Sequence, residues 1–318
     1  MRILVTGAAG FIGSHLCERL LQDENHQVVG IDGLINEKKL RLRNLNHLIE
    51  FEDSRFQFYP INLQTADLDP LLQDVDVVYH LAGMPGVRSS WGSDFNQYVE
   101  NNILATQRLL EACRGRSLKK FIYISTSSVY GEKHGKVPES SIPQPLSPYG
   151  VSKLSGEHLC RVYYKNEGIP IVILRYFTVY GPRQRPDMAF HRFIRNIIED
   201  QPVPVYGDGK QTRDFTFISD CVEGTVSVLY AKNVIGETIN IGGLERASVL
   251  EILTLLEGYF RKKVNINFSG EPKGEPKHTW ADIDKAKNLL NYQPRVSLKT
   301  GLAKEIADLK HLYKEHKP

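Results

Sequence analysis

Short apolar runs alternate with segments of helical periodicity through the first half of the chain. The runs are rich in Val, Ile and Leu, which is typical of buried parallel strands, and the segments between them repeat apolar residues at helical spacing. Strands are predicted at residues 2–6, 27–31, 55–59, 76–80, 120–125 and 169–175. Helices are predicted at residues 14–21, 67–74, 95–113 and 149–164. This alternation predicts an α/β fold built on a doubly wound parallel sheet.

The pattern becomes less regular after about residue 176. The further predicted strands are 213–218 and 237–242, and the further predicted helices are 190–199, 221–230, 248–259 and 298–313. Polar, Gly- and Pro-containing loops are predicted at 36–53 (with a short helix), 138–148, 181–188 and 269–277. We therefore predict a cofactor-binding domain of residues 1–175, rejoined by roughly 215–241, and a smaller C-terminal substrate-binding lobe of residues 176–214 and 242–318.

Composition narrows the class of protein. The 318 residues are 41% hydrophobic with a net charge of +3, so a large core is expected and a nucleic-acid partner is not. The four cysteines show no metal-ligand spacing and are expected to be buried thiols of a reducing compartment. The chain begins directly on a strand and has no long apolar run, so neither a signal peptide nor a membrane span is expected. A cytoplasmic protein without a metal is predicted.

The first thirty-two residues carry the most specific signal. The strand at 2–6 is followed by Gly7-Ala8-Ala9-Gly10-Phe11-Ile12-Gly13, a helix, a second strand and Asp32. In such a turn the glycines permit a tight bend, a close approach of the backbone to a pyrophosphate, and close packing of helix on strand. An acid about twenty residues further on accepts hydrogen bonds from an adenosine ribose and repels a 2′-phosphate. This Rossmann-type unit predicts binding of NAD rather than NADP.

The residues after Asp32 leave an alternative open. Lys38, Lys39, Arg41 and Arg43 could accept a 2′-phosphate, although such a basic run is more often a solvated surface.

A tyrosine and a lysine four residues apart suggest a catalytic base. The ammonium group would lower the phenol pKa so that a phenolate forms near neutrality. The spacing occurs four times, at 149/153, 206/210, 259/263 and 313/317, and is therefore weak alone. Only Tyr149 and Lys153 lie in the cofactor half, after a strand that ends in the hydroxyl residues Ser125-Thr126-Ser127-Ser128. Thr126, Tyr149 and Lys153 are the predicted catalytic set.

Arginines could bind a second, anionic ligand because guanidinium groups donate bidentately to phosphate. The candidates are Arg183, Arg185, Arg192 and Arg213, of which Arg185 and Arg213 lie at loop–strand junctions. His80 is expected to be a packed or capping histidine, since it has no metal-ligand partner at suitable spacing.

These motifs together resemble the extended short-chain dehydrogenase/reductase family, particularly its nucleotide-sugar epimerases and dehydratases. The resemblance covers essentially the whole chain and rests on residues 6–13, 80–82, 125–131, 149–153, 175–182 and 213–215. Residues 86–88 and 185–189 further resemble those of UDP-glucuronate 4-epimerases. The resemblance implies an isomerase that converts UDP-glucuronate to UDP-galacturonate through a transient 4-keto sugar, with tightly bound NAD, acting as a homodimer.

The resemblance also implies roles for residues that match the family's motifs. Tyr149 would remove the 4-hydroxyl proton, Lys153 would hold the nicotinamide ribose, and Thr126 would steady the oxygen. The implied NAD-binding residues are Gly7, Ala9, Gly10, Phe11, Ile12, Gly13, Asp32, Asn62, Leu63, Leu81, Ala82, Asn102, Ser125, Tyr149, Lys153 and Tyr176. The implied substrate-binding residues are Pro85, Arg88, Thr126, Ser127, Ser128, Thr178, Arg185, Met188, Arg192, Val205, Arg213 and Glu275.

Departures from the family patterns bear on the reaction. Dehydratases carry Asp-Glu after the catalytic threonine, where this chain has Ser127 and Ser128, and these hydroxyls with Thr178 leave room for a sugar carboxylate. Asn62 and Gly83 replace the usual aspartate and alanine at the cofactor end. The alternatives are a UDP-glucuronate decarboxylase, a UDP-glucose 4-epimerase, or a catalytically silent NAD-binding regulator.

Overall fold

A seven-stranded, entirely parallel sheet is the framework of the protein, which a computed structural model describes over residues 1–34, 38–50, 54–270 and 273–314. The strands of these ranges are β1 (Arg2–Thr6), β2 (Gln27–Ile31), β3 (Phe56–Tyr59), β4 (Val77–His80), β5 (Lys120–Thr126), β6 (Ile171–Tyr176), β7 (Val179–Tyr180), β8 (Val203–Tyr206), β9 (Thr212–Phe217), β10 (Thr238–Ile241), β11 (Glu245–Ser248) and β12 (Ile266–Ser269). The order in the large sheet is β3-β2-β1-β4-β5-β6-β10. The predicted doubly wound sheet is confirmed.

Helices cover both faces of this sheet, and others pack on the smaller sheets of the C-terminal part. Their segments are Phe11–Leu21, Lys38–Arg43, Asn46–Glu50, Phe95–Tyr98, Val99–Leu104, Ala105–Ala112, Pro148–Glu167, Ala189–Ile198, Ile218–Tyr230, Val249–Phe260, Asp284–Leu290 and Leu298–Lys314. Successive β1 side chains point to opposite faces, so Ile3 and Val5 join one apolar cluster while Leu4 joins the other. Strands buried on both faces explain why the sequence shows unbroken apolar runs rather than alternation.

The order of the strands determines where the ligand cleft lies. β1 pairs with β2 on one side and with β4 on the other, so the connections from β1 and from β4 leave the sheet in opposite directions. In open α/β sheets such a reversal leaves a crevice at the carboxyl ends of the strands. The glycine turn after β1 and the loop after β4 therefore face one another across the same opening.

Two predicted helices differ from the structure. Residues 67–74 form turns, and the predicted helix there is wrong. Pro70 lacks an N–H, the Asp67 side chain accepts from the Asp69 N–H as in a turn, and Asp74 has φ 56°. The helix predicted at 95–113 is present, but its middle segment Val99–Leu104 is a π-helix, which an apolar pattern cannot reveal.

The C-terminal part adds two small sheets. β11, β9 and β7 form one, and β12 pairs with β8 in the other. β10 crosses back to pair with β6 in the large sheet. The division into domains at the predicted boundaries stays a prediction.

All four cysteines are buried thiols. Cys17, Cys113, Cys160 and Cys221 are unpaired and buried, and burial raises the pKa of each thiol.

Within the described ranges, no helix is both long and apolar enough to cross a bilayer. In the same ranges, no three His, Cys, Asp or Glu side chains are grouped so as to hold a metal ion.

Glu305 provides a test of stability. It is fully buried in helix Leu298–Lys314, near the backbone of Gly181, and burial raises its pKa well above the ordinary value. A raised pKa means that the folded state keeps a proton that the unfolded state loses, so stability falls as pH rises above the unfolded-state pKa. Glu305→Gln should therefore be more stable than wild type at pH 8, by about 1–3 kcal/mol, and should lose this advantage near pH 4.

Chemical denaturation at several pH values measures this difference. Glu199→Gln, which alters an exposed ion pair with Arg195, is the control and should change little. A Glu305→Gln protein that is less stable than wild type at pH 8 would show that the carboxylate is needed.

Candidate active site

In the glycine turn after β1, the backbone lies close to the end of β2 and to the start of the following helix. Gly7 has φ +72°, and its N–H donates to the Ile31 carbonyl. A Cβ atom at Gly13 would lie 2.1 Å from the Gly7 carbonyl oxygen, so only glycine allows helix Phe11–Leu21 to begin there. The free N–H groups and positive end of that helix therefore meet the cleft, which suits an anionic pyrophosphate.

Asp32 is held rigidly at the carboxyl end of β2. Its carboxylate accepts from the Leu34 N–H (2.8 Å) and from the Ala9 N–H (3.2 Å). Arg41 Nη1 lies 3.3 Å from both carboxylate oxygens, whereas Lys38 and Lys39 are exposed. Of the basic residues that follow Asp32, Arg41 thus pairs with its carboxylate and lines the same cleft.

The catalytic candidates lie where β5 meets helix Pro148–Glu167. The Ser147 side chain caps this helix by accepting from the Gly150 N–H (3.1 Å), and Pro148 is its first residue. Tyr149 therefore lies in the first turn and Lys153 one turn later on the same face. Thr126 is the last residue of β5, and it lines the same cleft as Tyr149 and Lys153.

The predicted lowering of the Tyr149 pKa is wrong for this arrangement. Burial raises the pKa of Tyr149, and the hydrogen bond from Thr126 and the charge of Arg185 offset this only partly. Burial also lowers the pKa of Lys153 to about 8, and its ammonium lies 4.2 Å from the centre of the Tyr123 ring. For Tyr149, desolvation outweighs the effects of Thr126 and Arg185 on the pKa, which the spacing in sequence could not show.

Most predicted ligand-binding residues line one continuous cleft. They are Gly7, Gly10, Phe11, Ile12, Gly13, Asp32, Asn62, Leu63, Leu81, Ala82, Pro85, Ser125, Thr126, Ser127, Ser128, Tyr149, Lys153, Tyr176, Thr178, Arg185 and Met188. Ala9 is fully buried and reaches Asp32 through its backbone. Asn102 is also buried, with its amide bonded to the backbone of Met84 and to the Ser152 hydroxyl, so it shapes the loop after β4.

A second group of predicted residues surrounds the Tyr206 ring. The Arg88 guanidinium lies 3.8 Å from the ring centre and that of Arg192 lies 5.7 Å from it. Glu275 accepts from Arg88 Nε (2.8 Å) through one oxygen and from Arg213 Nη2 (3.1 Å) through the other. The structure thus brings together residues from four distant segments into a cationic, aromatic-lined site suited to a nucleotide diphosphate.

Two candidate ligand-binding residues, Val205 and Arg183, contact other parts of the protein instead. The Val205 side chain is buried in the core, and its neighbour Tyr206 is the one that faces the arginines. Arg183 donates to Glu18 and to the Ser14 hydroxyl, so it fastens the loop after β7 to helix Phe11–Leu21.

Comparison with known proteins decides the family. Residues 3–242 match the NAD dependent epimerase/dehydratase family. The chain belongs to this family. It is 59% identical to an uncharacterized UDP-glucose epimerase, YtcB, of Bacillus subtilis, over 98% of this chain and 99% of that protein.

A solved structure of UDP-glucuronic acid 4-epimerase from Bacillus cereus, in complex with UDP-glucuronic acid and NAD, is 60% identical with a TM-score of 0.97. It matches 98% of this chain and 100% of its own. A tyrosine-to-phenylalanine variant of that enzyme, with UDP-4-deoxy-4-fluoro-glucuronic acid and NAD, has the same TM-score of 0.97 and the same coverage.

This epimerase/dehydratase family member has a buried ion pair that its sequence pattern did not indicate. Arg175 donates to both oxygens of Glu157, at 2.8 and 2.6 Å, and the Ser125 hydroxyl donates to Glu157 at 2.6 Å. Glu157 is fully buried and lies one helical turn beyond Lys153. The pair therefore joins β5, β6 and the catalytic helix directly behind the reactive groups.

His80 connects β1 to helix Ala105–Ala112 as a neutral group. Its Nδ1 lies 2.8 Å from the Thr6 hydroxyl and its Nε2 lies 2.9 Å from the Thr106 hydroxyl. The Thr106 hydroxyl donates its proton to the Asn102 carbonyl, so it accepts from Nε2, which carries the imidazole proton. Nδ1 therefore accepts from the Thr6 hydroxyl. Burial lowers the His80 pKa to about 3, which keeps the ring neutral. The predicted packed histidine is confirmed.

Gly156 allows the catalytic helix to approach β5, which gives a second testable prediction. A Cβ atom there would lie 2.1 Å from the Tyr123 hydroxyl oxygen. Gly156→Ala should therefore displace the helix, lower stability by about 1–3 kcal/mol and lower activity. Gly258→Ala is the matched control: this helical glycine has no atom within 4 Å of an added Cβ, so alanine should stabilise the protein by about 0.5–1 kcal/mol. Equal effects of the two substitutions would contradict the proposed contact.

Proposed function

We propose that the protein interconverts UDP-glucuronate and UDP-galacturonate by NAD-dependent epimerisation at C4 of the sugar. The observation that carries this proposal is the placement of Thr126, Tyr149 and Lys153 in one cleft with the hydroxyls of Ser127 and Ser128. The likeness to the Bacillus cereus enzyme over nearly the whole chain supports the same substrate. The uncharacterized relative named as a UDP-glucose epimerase makes UDP-glucose the second candidate substrate.

The residues of the cleft fit NAD. Gly7, Gly10 and Gly13 line the cleft at the start of helix Phe11–Leu21, where a pyrophosphate would meet free N–H groups, and the buried Asp32 carboxylate lies where an adenosine ribose would donate to it. Lys153 and Tyr176 line the cleft at the opposite end and would hold the nicotinamide ribose. When bound, NAD supplies reversible acceptance of a hydride at C4 of the sugar.

Residues of the chain would accept and return the proton of the sugar 4-hydroxyl. Tyr149 accepts the proton of the sugar 4-hydroxyl, and the Thr126 hydroxyl bonds to the same oxygen. A raised Tyr149 pKa favours the neutral phenol before reaction, so positive charge is needed to form the phenolate. Lys153, Arg185 and the nicotinamide ring would supply that charge. Tyr149 then returns the proton after the keto sugar has turned its other face to the cofactor.

The groups beside the catalytic residues favour epimerisation over elimination. Ser127 and Ser128 line the cleft where an elimination of the 6-hydroxyl would need an acid and a base. Their hydroxyls, with Thr178, can donate to a C6 carboxylate without repelling it. A 4-ketone lies β to that carboxylate and could lose carbon dioxide, so an epimerase must hold the carboxylate away from the alignment that permits decarboxylation.

Incubation of the purified protein with UDP-glucuronate tests the proposal directly. Separation of the products by anion-exchange chromatography should show UDP-galacturonate approaching equilibrium. UDP-pentose as the main product would instead identify a decarboxylase. Conversion of UDP-glucose to UDP-galactose with no reaction of UDP-glucuronate would identify the neutral-sugar epimerase, and no turnover of either would support the silent regulator.

We also propose a homodimer in a reducing, cytoplasmic setting. Leu104, Val151 and Val162 are about half exposed on the segments Val99–Leu104 and Pro148–Glu167, which leaves apolar surface for a second copy. The four unpaired cysteines support a reducing compartment. Light scattering of the purified protein would measure its mass and test the dimer.

A further inference from the structure

Tyr98 lies between the catalytic tyrosine and the loop that carries Arg88. It ends helix Phe95–Tyr98, immediately before the π-helical segment, and only 1% of its surface is exposed. In sequence it is one apolar position of a helical repeat, and a place in the core would account for it. Its hydroxyl and its ring nevertheless make contacts that a core position does not require.

The hydroxyl group anchors one short loop at three points. Its oxygen lies 3.0 Å from the carbonyl oxygens of Pro85 and Gly86 and 2.7 Å from the Ser89 hydroxyl. The carbonyls can only accept, so the single phenol proton lies between them, and the Ser89 hydroxyl must donate to Tyr98. One buried hydroxyl thus fixes the residues on both sides of Arg88.

The outer face of the same loop points to the nucleotide site. Arg88 stacks on Tyr206 at 3.8 Å and donates to Glu275 at 2.8 Å. The Arg88 side chain is still 42% exposed, so few neighbours restrict its rotamers. A fixed loop backbone is therefore needed to bring its guanidinium to Tyr206 and Glu275. The position of the Arg88 guanidinium therefore depends on the anchoring of the loop by Tyr98.

The ring of Tyr98 contacts the catalytic side. Its centroid lies 6.1 Å from that of Tyr149, at an interplanar angle of 70°, which is the edge-to-face arrangement that aromatic pairs favour. We propose that Tyr98 is a positioning residue with two separable parts: its hydroxyl places Arg88 for the nucleotide, and its ring supports Tyr149. This inference rests on the proposed function for the identity of the substrate.

Tyr98→Phe separates the two parts, since it removes the hydroxyl and keeps the ring. Binding of UDP, measured by calorimetry on the purified protein, should weaken by about fivefold to tenfold. KM for UDP-glucuronate should rise similarly, while kcat stays within about threefold because the ring remains. Tyr98→Leu, which also removes the ring, should lower kcat in addition.

Tyr163→Phe is the matched control. Tyr163 is also buried, and its hydroxyl bonds to Glu111 and Gln107 away from the cleft. UDP binding and both kinetic constants should equal those of wild type in this variant.

A double-mutant cycle with Arg88→Ala tests whether the hydroxyl acts through Arg88. If it does, Tyr98→Phe should weaken UDP binding much less in the Arg88→Ala background than in wild type. An unchanged UDP affinity in Tyr98→Phe, or a full additional loss in the double variant, would overturn the inference. Should Tyr98→Phe fail to fold, Ser89→Ala, which removes only the donor to Tyr98, is expected to weaken UDP binding in the same direction, and no change would overturn it.

UDP binding requires no turnover, which separates this inference from the proposed activity. A protein that binds UDP in the predicted Tyr98-dependent way but leaves UDP-glucuronate unchanged would uphold the inference and overturn the activity.

Discussion

Tyr149→Phe should lower the rate of epimerisation by about 10²–10⁴-fold while leaving UDP and NAD binding nearly unchanged. The reason is that the variant loses only the group that accepts the 4-hydroxyl proton. Its ring can still pack against Tyr98, and Lys153 and the glycine turn are untouched. Initial rates with UDP-glucuronate, together with the NAD content of the purified variant, measure the two effects separately.

Tyr259→Phe controls for the loss of a tyrosine hydroxyl near a lysine. Tyr259 also precedes a lysine by four residues, but its hydroxyl donates to the Lys299 carbonyl in the C-terminal part. This variant should epimerise at the wild-type rate. Wild-type turnover by Tyr149→Phe would remove Tyr149 from the mechanism, and loss of NAD from that variant would show a structural role instead.

Glu157→Ala should destabilise the fold by about 3–5 kcal/mol. The substitution leaves the Arg175 guanidinium, which is 2% exposed, without its counter-charge, and leaves the Ser125 hydroxyl without its acceptor. Such a loss is a large share of the free energy of unfolding of a typical domain. Urea denaturation followed by circular dichroism measures it.

The same ion pair predicts a sensitivity to acid. Burial raises the Glu157 pKa, but the hydrogen bonds and charge of Arg175 and the Ser125 hydroxyl bring it below the ordinary value. A lowered pKa contributes stability above the unfolded-state pKa, and this contribution is lost as pH falls through the folded-state value. The stability gap between wild type and Glu157→Ala should therefore narrow in strong acid.

Two further variants check that the charge pair is the cause. Glu223→Ala, which breaks an exposed ion pair with Arg19, should leave the unfolding midpoint near that of wild type. The double variant Glu157→Met/Arg175→Met should recover much of the loss, because no unpaired charge then remains buried. A double variant as unstable as Glu157→Ala would mean that lost packing is responsible.

Features that depend on neighbouring residues in the chain were predictable from the sequence. The glycine turn, its helix and Asp32 lie within one strand–helix–strand unit, so their spacing alone indicated the dinucleotide site. Tyr149 and Lys153 are likewise one helical turn apart. The charge of Arg175 at the end of an apolar strand was a signal that a buried partner must exist, but the sequence did not say which acid it was.

Features that depend on long-range contacts were not predictable in this way. Arg88, Tyr206 and Glu275 meet only because three separate segments are folded together. The short strands β7, β8, β11 and β12 have few residues to show a pattern and depend on distant partners. The Tyr149 pKa was predicted in the wrong direction because sequence spacing shows which charges are near but not how much water burial removes.

The burial of all four thiols makes the protein suitable for chemical labelling. The folded protein should not react with maleimides or with Ellman's reagent, and it should react fully once it is denatured. A single cysteine introduced on the surface would then be the sole attachment point for a fluorophore. With a dye beside Arg88, the arrival and departure of nucleotide sugar could be timed.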